Sequence, residues 1–302
     1  MNNSVGAMNA LTALRSLNSS IETTTKRIAT QMKIADASDG AAYWSIAQTA
    51  RSEVGTLGQV KTSLATGKGA LDVGAAAAAG VRENLQTLRD VLVSGLTMGA
   101  DRASLQEQVD GLVSQMQTLA NSADFNGTNL LSVDNAAASY SATYSTVAGV
   151  ATTAAGAISV STIDVDVTVT AAMDATGDGF LDLDRTVGGT TDNVLAIDIS
   201  ALTDAAADIT TLTETISIVD AAITDAIAAE TAIGVAQSRI GSQGDFVQAV
   251  IDAKESAIAS LVEADLEEEA ARLTALQTKQ QLAVEALSVA NANYTQVLSL
   301  FR

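Results

Sequence analysis

The first hydrophobic pattern along the chain is a stripe near the amino terminus with helical spacing. Its members recur at steps of three, four or seven residues. Such spacing places the apolar side chains on one face of an amphipathic helix. This helix is predicted to end in the polar segment 36–40, where Asp, Ser and Gly favour a cap or a turn. The stripe consists of Val5, Met8, Leu11, Leu14, Leu17, Ile21, Ile28 and Met32.

Two more heptad patterns predict the next helices. A series of leucines at steps of seven over 57–92, with Ala78 at one position, predicts a helix from about Tyr43 to about Leu96. A second heptad over 105–119 predicts a third helix, and Ser104-Leu-Gln-Glu107 before it has the form of a capping box. Asn126-Gly127 then predicts a tight turn with positive φ angles.

Residues 135 to about 200 have a different character. A charge-free stretch rich in Ala, Ser and Thr leads into near-strict alternation of apolar and polar residues from Ile158 to Val169. Alternation with a period of two predicts β-strands, and Val167 belongs to this pattern. A further strand is predicted over Val194–Ile199.

Helical spacing returns at about Leu202 and continues to Ile240. Gly241 and Gly244 are predicted to end that helix, with another from Phe246 to Ala264 and a last one from Leu273 to the carboxyl terminus. The predicted fold is therefore mainly α, with long antiparallel helices that form a coiled-coil-like bundle and a small β-rich inserted outer domain. The apolar stripes at the two ends are predicted to pair and then to self-associate.

Charge separates the chain into two parts. The formal net charge is −19, with 35 acidic and 16 basic residues. Residues 160–270 hold 22 of the acidic residues and only three basic ones, namely Arg185, Arg239 and Lys254. The ends are thus electrically balanced and can pack against copies of themselves, whereas the acidic middle is expected to face solvent. Strong acidity also argues against nucleic acid and anionic membranes as partners.

The composition excludes several kinds of chemistry. The chain has no His and no Cys, so it cannot form a Ser-His-Asp triad, a thiolate nucleophile, a disulfide, or a zinc site of His and Cys ligands. We expect neither an enzyme nor a bound cofactor. The first 20 residues lack a basic segment before an apolar core, so an ordinary signal peptide is not expected.

Two acidic segments are candidate metal sites. Glu263–Glu269 carries five carboxylates, and we expect a solvated or partner-facing helix turn there rather than a metal site. Asp174–Asp182 partly matches a calcium loop, but position 12 of that loop would be Arg185 instead of Glu. An acidic turn is the favoured interpretation, and calcium binding stays open.

Three segments carry a resemblance to a known family. These are Thr25-Lys-Arg-Ile-Ala-Thr-Gln-Met-Lys-Ile34 with the Asp36–Ala42 segment after it, Ala123–Leu131, and the ending Ala290-Asn-Ala-Asn-Tyr-Thr-Gln-Val-Leu-Ser-Leu-Phe-Arg302. Together they resemble bacterial flagellin, over about the first 135 and the last 100 residues. The resemblance implies a structural subunit that self-assembles into the flagellar filament used for swimming.

The resemblance also implies a division of the chain. Residues 1–42 and 265–302 would form the paired helices of an inner tube, 43–138 and 202–264 an outer tube, and 139–201 a β-rich module that faces solvent. Expected partners are other copies of the chain, other flagellins, the flagellar export apparatus and its chaperone, the filament cap and the hook-associated proteins. The expected location is the extracellular filament. The predicted assembly residues are Val5, Leu11, Leu14, Leu17, Ile21, Leu287, Tyr294, Val297, Leu298, Leu300 and Phe301.

One departure from the family concerns recognition by the animal innate flagellin receptor. Flagellins that this receptor recognises have an arginine, a leucine and a glutamate where this chain has Thr87, Val91 and Gln108. Arg89 and Asp90 are retained. Loss of a bidentate donor and of a charge is expected to weaken the contact.

Two alternatives remain at this point. A hook–filament junction protein would have ends of the same kind, although such proteins usually carry a different or larger insert. A secreted enzyme on a helical scaffold is the other alternative, but the sequence offers no residues for it.

Overall fold

A computed structural model of the chain describes residues 5–138, 140–152 and 158–300, with side chains over 8–138, 140–151 and 159–289. Most of the described residues are helical, and short strands occupy the region between α3 and α5. The predicted fold class, mainly α with a small β insertion, is confirmed. The helices are α1 Val5–Thr30, α2 Ala37–Ser94, α3 Arg102–Ser122, α4 Val167–Thr170, α5 Ala206–Val262 and α6 Leu266–Leu300.

The strands form four two-stranded pairs. The long pair is the antiparallel hairpin of β4 and β5, whose register shifts at a β-bulge between Val147 and Gly149. The pair β3–β6 is parallel, and β1–β2 and β7–β8 are short antiparallel pairs. The strands are β1 Asp124–Phe125, β2 Thr128–Asn129, β3 Ser132–Val133, β4 Thr143–Thr152, β5 Ile158–Asp166, β6 Met173–Asp174, β7 Arg185–Val187 and β8 Thr190–Asp192.

The chain divides into two compact units. One, the terminal unit, contains the described residues before Thr56 and after Ala249, and the other, the central unit, is Thr56–Ala249. Within the terminal unit, α1 contacts α6. A small core of Ile34, Ala47, Ile258 and Val262 lies beside it, with Trp44 and neighbouring side chains packed against that core.

The central unit contains a larger apolar core. The heptad leucines of α2 from Leu64 onward are buried, as are apolar residues of α3, α5 and the segment between them. The β-rich segment takes part in this core, because Ile163, Leu181 and Ile199 are buried as well. Other members include Leu71, Leu85, Leu88, Leu92, Met116, Leu131, Ile218 and Ile233.

The first junction between helices differs from the prediction. The stripe predicted a helix through Met32, but α1 ends at Thr30. Gln31 has a φ of 58°, which interrupts the helix, and Met32 instead forms an antiparallel bridge with Glu263. The Lys33 backbone N–H donates to the Val262 carbonyl at 2.8 Å. The tertiary backbone pairing thus outweighs the helical pattern.

Two other helix predictions are corrected at their ends. Asp101, not Ser104, caps α3, since the Asp101 side chain accepts from the Ser104 backbone N–H. The predicted break at Gly241 and Gly244 is wrong, because α5 continues through both glycines. A glycine within a helix costs only about 1 kcal/mol of stability relative to alanine, and the packing of side chains along a helix as long as α5 can offset that cost.

Two strand predictions are wrong. Val167 and Val169 lie in α4, where the Asp166 side chain accepts from the Thr168 backbone N–H as a helix cap. The segment around Ile197 is not a strand. There the Gln106 side chain donates to the Ile197 carbonyl and accepts from the Ile199 N–H, in place of a neighbouring strand. The predicted turn at Asn126-Gly127 is confirmed by φ angles of 55° and 80°.

The β4–β5 hairpin approaches α2 closely at a glycine. A Cβ atom on Gly67 would overlap the side chain of Thr146, whereas a Cβ on Gly58 would meet nothing within 4 Å. Of these two glycines, Gly67 is therefore the one that requires the absence of a side chain.

We predict opposite effects of alanine at these two helical glycines. Gly67→Ala should lower the free energy of unfolding by about 1–3 kcal/mol, because the overlap forces the hairpin to shift. Gly58→Ala should raise it by about 0.5–1 kcal/mol, through reduced entropy of the unfolded chain. Urea unfolding followed by circular dichroism measures both. Equal effects of the two substitutions would contradict the close approach.

Candidate self-assembly surface

The two terminal helices pair through a single seam. Residues of α1 that lose solvent exposure recur at alternating steps of three and four, and residues of α6 do the same. This is the a/d spacing of a coiled coil. The seam residues with partial burial are Ala10, Leu14, Leu17, Ile21 and Ile28 of α1, and Leu273, Leu276, Gln280, Ala283 and Leu287 of α6.

Polar contacts fix the direction and alignment of this pair. Arg27 Nη1 lies 3.0 Å from Glu269 Oε1, and Gln280 Nε2 donates to Asn18 Oδ1 at 2.7 Å. As the residue number falls on α1 it rises on α6, so the helices are antiparallel. The Glu269 side chain is only 8% exposed. A buried charge that loses its partner is costly, so the ion pair disfavours other alignments.

Apolar side chains outside the seam remain exposed. Met8 and Leu11 of α1 are 53% and 43% exposed, and Leu282 of α6 is 64% exposed. Val284 and Val289 are more than half exposed as well. Exposed apolar residues grouped on one helix pair are typical of a surface that binds another protein.

The sequence-predicted assembly residues fall into three groups. Leu11 is exposed, and Leu14, Leu17, Ile21 and Leu287 are half-buried in the seam. The remaining residues have side chains outside the described part of the chain: Val5, Tyr294, Val297, Leu298, Leu300 and Phe301. The sequence interpretation missed Leu282, Val284 and Val289. They could have been found in the sequence as apolar residues that lie outside the a and d positions of the α6 heptad.

The acidic segment at the start of α6 has structural partners. Asp265 Oδ1 accepts from the backbone N–H groups of Glu267 and Glu268, which caps the helix. Glu268 pairs with Arg272 one turn along, and Glu269 lies in the seam. Negative charge is favourable at a helix amino terminus. Within the described residues, no three carboxylates form a group that could hold a metal ion.

The Asp174–Asp182 loop is organised by its own hydrogen bonds. Asp174 Oδ1 accepts from the backbone N–H groups of Thr176 and Asp178, and Asp182 Oδ2 accepts from the Asp174 N–H. Burial raises the pKa of Asp182 above its usual value. Arg185, at the position of a bidentate ligand in a calcium loop, instead pairs with Asp225.

The residues of the expected receptor epitope lie on α2 and α3. Thr87 and Gln108 are exposed, and Val91 is half-buried. The Arg89 guanidinium lies 3.2 Å from Asp90 Oδ1 and 3.7 Å from Asp220 Oδ1. Arg89 is therefore held by two carboxylates on the surface of the central unit.

The junction before α2 holds a small charge cluster. Lys26 Nζ lies 2.7 Å from Asp36 Oδ2 and 3.2 Å from Asp39 Oδ2. The Lys26 side chain, followed by the Ser38 hydroxyl, lowers the pKa of Asp36 to about 2. The Ala35 backbone N–H and then Lys26 hold the pKa of Asp39 below its usual value.

None of the helices in the described part of the chain is long and apolar enough to cross a membrane.

Comparison with known proteins identifies relatives over nearly the whole chain. The family model for the bacterial flagellin N-terminal helical region matches residues 1–136, and that for the C-terminal helical region matches residues 216–301. Flagellin C of Rhizobium meliloti is 35% identical, over 98% of this chain and 97% of its own length. Flagellin A of the same species and a flagellin of Brucella melitensis are each 32% identical, over 98% of this chain.

The charge cluster predicts how acid changes stability. The pKa of Asp36 is lower in the folded chain than in the unfolded one. The stabilisation that its charged carboxylate gives to the folded chain is therefore fully present above about pH 4 and is lost as the pH falls through about 2. Asp36→Asn keeps a capping oxygen but removes the charge, so its melting temperature should fall less than that of the parent chain between pH 4 and pH 2.

The matched control is Asp245→Asn, which changes an exposed aspartate with no hydrogen bond or ion pair to another described residue. Thermal melting by circular dichroism across this range should show the control parallel to the parent chain. An equal fall in melting temperature between pH 4 and pH 2 for Asp36→Asn and for the parent chain would contradict a stabilising role of the Asp36 charge.

Proposed function

Because this chain belongs to the bacterial flagellin family and is a structural subunit of the flagellar filament, we propose that copies assemble through the exposed apolar side chains of α1 and α6. The observation that carries this proposal is the exposure of Met8, Leu11 and Leu282 beside a seam that is already closed. Burial of one such side chain contributes about 1.5–3 kcal/mol. Nothing in the comparisons favours a hook–filament junction protein.

The predicted terminal residues complete this surface in the proposal. Val5, Tyr294, Val297, Leu298, Leu300 and Phe301 extend the apolar spacing of α1 and α6 toward both chain ends. In a filament each copy meets neighbours on several sides, so seam and exposed residues are both enclosed. The contacts are heterologous, since one face meets a different face of the next copy, and such contacts generate helical polymers.

The division of the chain into layers is part of the same proposal. Residues 1–42 and 265–302 form the inner tube, 43–138 and 202–264 the outer tube, and 139–201 the solvent-facing module. The charge distribution supports this order, since the acidic excess lies in 160–270 and the balanced ends can pack densely. The chain has no catalytic role in this proposal.

The proposed partners follow from assembly outside the cell. They are other copies of the chain and other flagellins, the export apparatus and its chaperone, the filament cap and the hook-associated proteins. The proposed location is the extracellular filament, which the chain reaches through the channel of the growing filament.

We predict that an exposed apolar residue of α6 is needed for assembly but not for folding. Leu282→Asp should leave the melting temperature nearly unchanged, because the side chain is 64% exposed in the single chain. It should raise the critical concentration for polymerisation about tenfold or more, since an unpaired charge would enter a packed contact. Sedimentation and negative-stain electron microscopy measure the polymer.

The matched control is Gln281→Asp, which adds the same charge at the neighbouring exposed position. It should raise the critical concentration much less. Deletion of residues 283–302 should abolish polymerisation altogether. Normal filaments from both the Leu282→Asp protein and the deletion would refute the proposed surface.

We also propose that the innate flagellin receptor responds weakly to this chain, because of Thr87, Val91 and Gln108. In a reporter-cell assay, purified monomer should give a much smaller response than a strongly recognised flagellin. The combined change Thr87→Arg, Val91→Leu and Gln108→Glu should increase that response about tenfold or more, since it restores a bidentate donor and a charge. An equally strong response from the unchanged chain would refute the proposal.

A further inference from the structure

A polar groove lies between the β4–β5 hairpin and α5 in the central unit. Its volume is about 440 Å³. Hydroxyl groups line both walls, from Ser161 and Thr162 of the hairpin and from Ser238 and Ser242 of the helix. Arg239 of α5 is the charged residue that lines it.

The β-bulge of the hairpin shapes this groove. The register of β4 and β5 shifts between Val147 and Gly149, which frees the carbonyl of Ala148 from the regular ladder. Gln243 Nε2 donates to that carbonyl at 2.8 Å and so ties the hairpin to α5. Bulges commonly redirect side chains at binding sites. The groove is therefore held open by a specific backbone irregularity and a matching side chain.

Arg239 differs from the other basic residues of the acidic region. Of the three basic residues in 160–270, Arg185 pairs with Asp225 and Lys254 pairs with Glu53. Arg239 makes no ion pair or hydrogen bond with any residue in the described part of the chain. It is an exposed cation in a region with 22 acidic residues, and Asp164 attracts it only at a distance, without an ion pair or a hydrogen bond.

The carboxylate of β5 near this groove already has other partners. The pKa of Asp164 lies below its usual value chiefly because the hydroxyls of Ser145 and Thr162 donate to it, and Arg239 contributes less. The Arg239 guanidinium donates no hydrogen bond to a described residue, so its N–H groups remain available. A guanidinium beside several hydroxyl donors matches a carboxylate, which accepts two parallel N–H bonds from arginine.

We propose that this groove receives a carboxylate side chain from a second copy of the chain in the filament. The inference rests on the proposed assembly and names one of its contacts. The acidic excess of residues 160–270 repels the same region of other copies, so a contact made there is favoured by a cation that is not already neutralised. Arg239 meets that requirement within the acidic region, and every neighbouring copy supplies carboxylates.

Charge reversal at Arg239 tests the proposal. Arg239→Glu should leave the melting temperature within about 2 °C of the parent chain, because Arg239 makes no ion pair or hydrogen bond within the described residues and solvent screens its attraction to Asp164. It should raise the critical concentration for seeded polymerisation about tenfold or more, the effect expected when a paired charge in an interface is removed. Arg239→Lys should have a smaller effect of the same sign, since lysine keeps the charge but loses the bidentate geometry.

The matched control is Lys68→Glu, which makes the same change in net charge. Lys68 is exposed on α2 and pairs with Asp72 one turn along its own helix. This control should polymerise like the parent chain. If the parent polymerises and Arg239→Glu does so at the same critical concentration, the groove proposal is wrong while the filament assignment stands. If the parent itself does not polymerise, both proposals fail.

Discussion

The contact on which the terminal unit depends is the antiparallel seam between α1 and α6. Its ion pair joins Arg27 to Glu269, which lie 242 positions apart in the chain. Such a contact forms only when the two ends of the chain come together, and the closing of so long a loop has an entropic cost. The apolar a/d positions offset part of that cost, and the buried carboxylate of Glu269, paired with the partly exposed Arg27, makes one alignment preferable to its neighbours.

That seam also explains why some apolar residues of the two helices remain exposed to solvent. A two-helix seam encloses only the a and d positions, so apolar residues at other heptad positions stay in solvent. Met8, Leu11 and Leu282 are of this kind. In a single chain their exposure is unfavourable, because apolar surface in contact with water costs free energy in proportion to its area. In the proposed filament, association of copies would remove that cost, so the incomplete packing of the ends would favour a polymer.

Much of this arrangement could be predicted from the sequence, because heptad spacing reports which side chains a helix buries. The order of the long helices, the turn at Asn126-Gly127 and the β-rich insertion follow from local patterns. The structure departs from the sequence predictions where contacts with residues distant in the chain determine the local backbone conformation. Met32 leaves the helix to pair with Glu263, and Gln106 binds the backbone around Ile197, which removes the need for a strand. Periodicity contains no information about such long-range partners.

In the proposed assembly, the terminal helices close one seam within a copy and use their remaining apolar residues between copies. A helical reconstruction of the filament by electron cryomicroscopy tests this most directly. We expect Leu14, Leu17 and Ile21 to contact α6 of the same copy, and Met8, Leu11 and Leu282 to be buried against neighbouring copies. A filament in which Leu282 and Leu11 face solvent, or in which the seam of each copy is open, would contradict this proposed assembly.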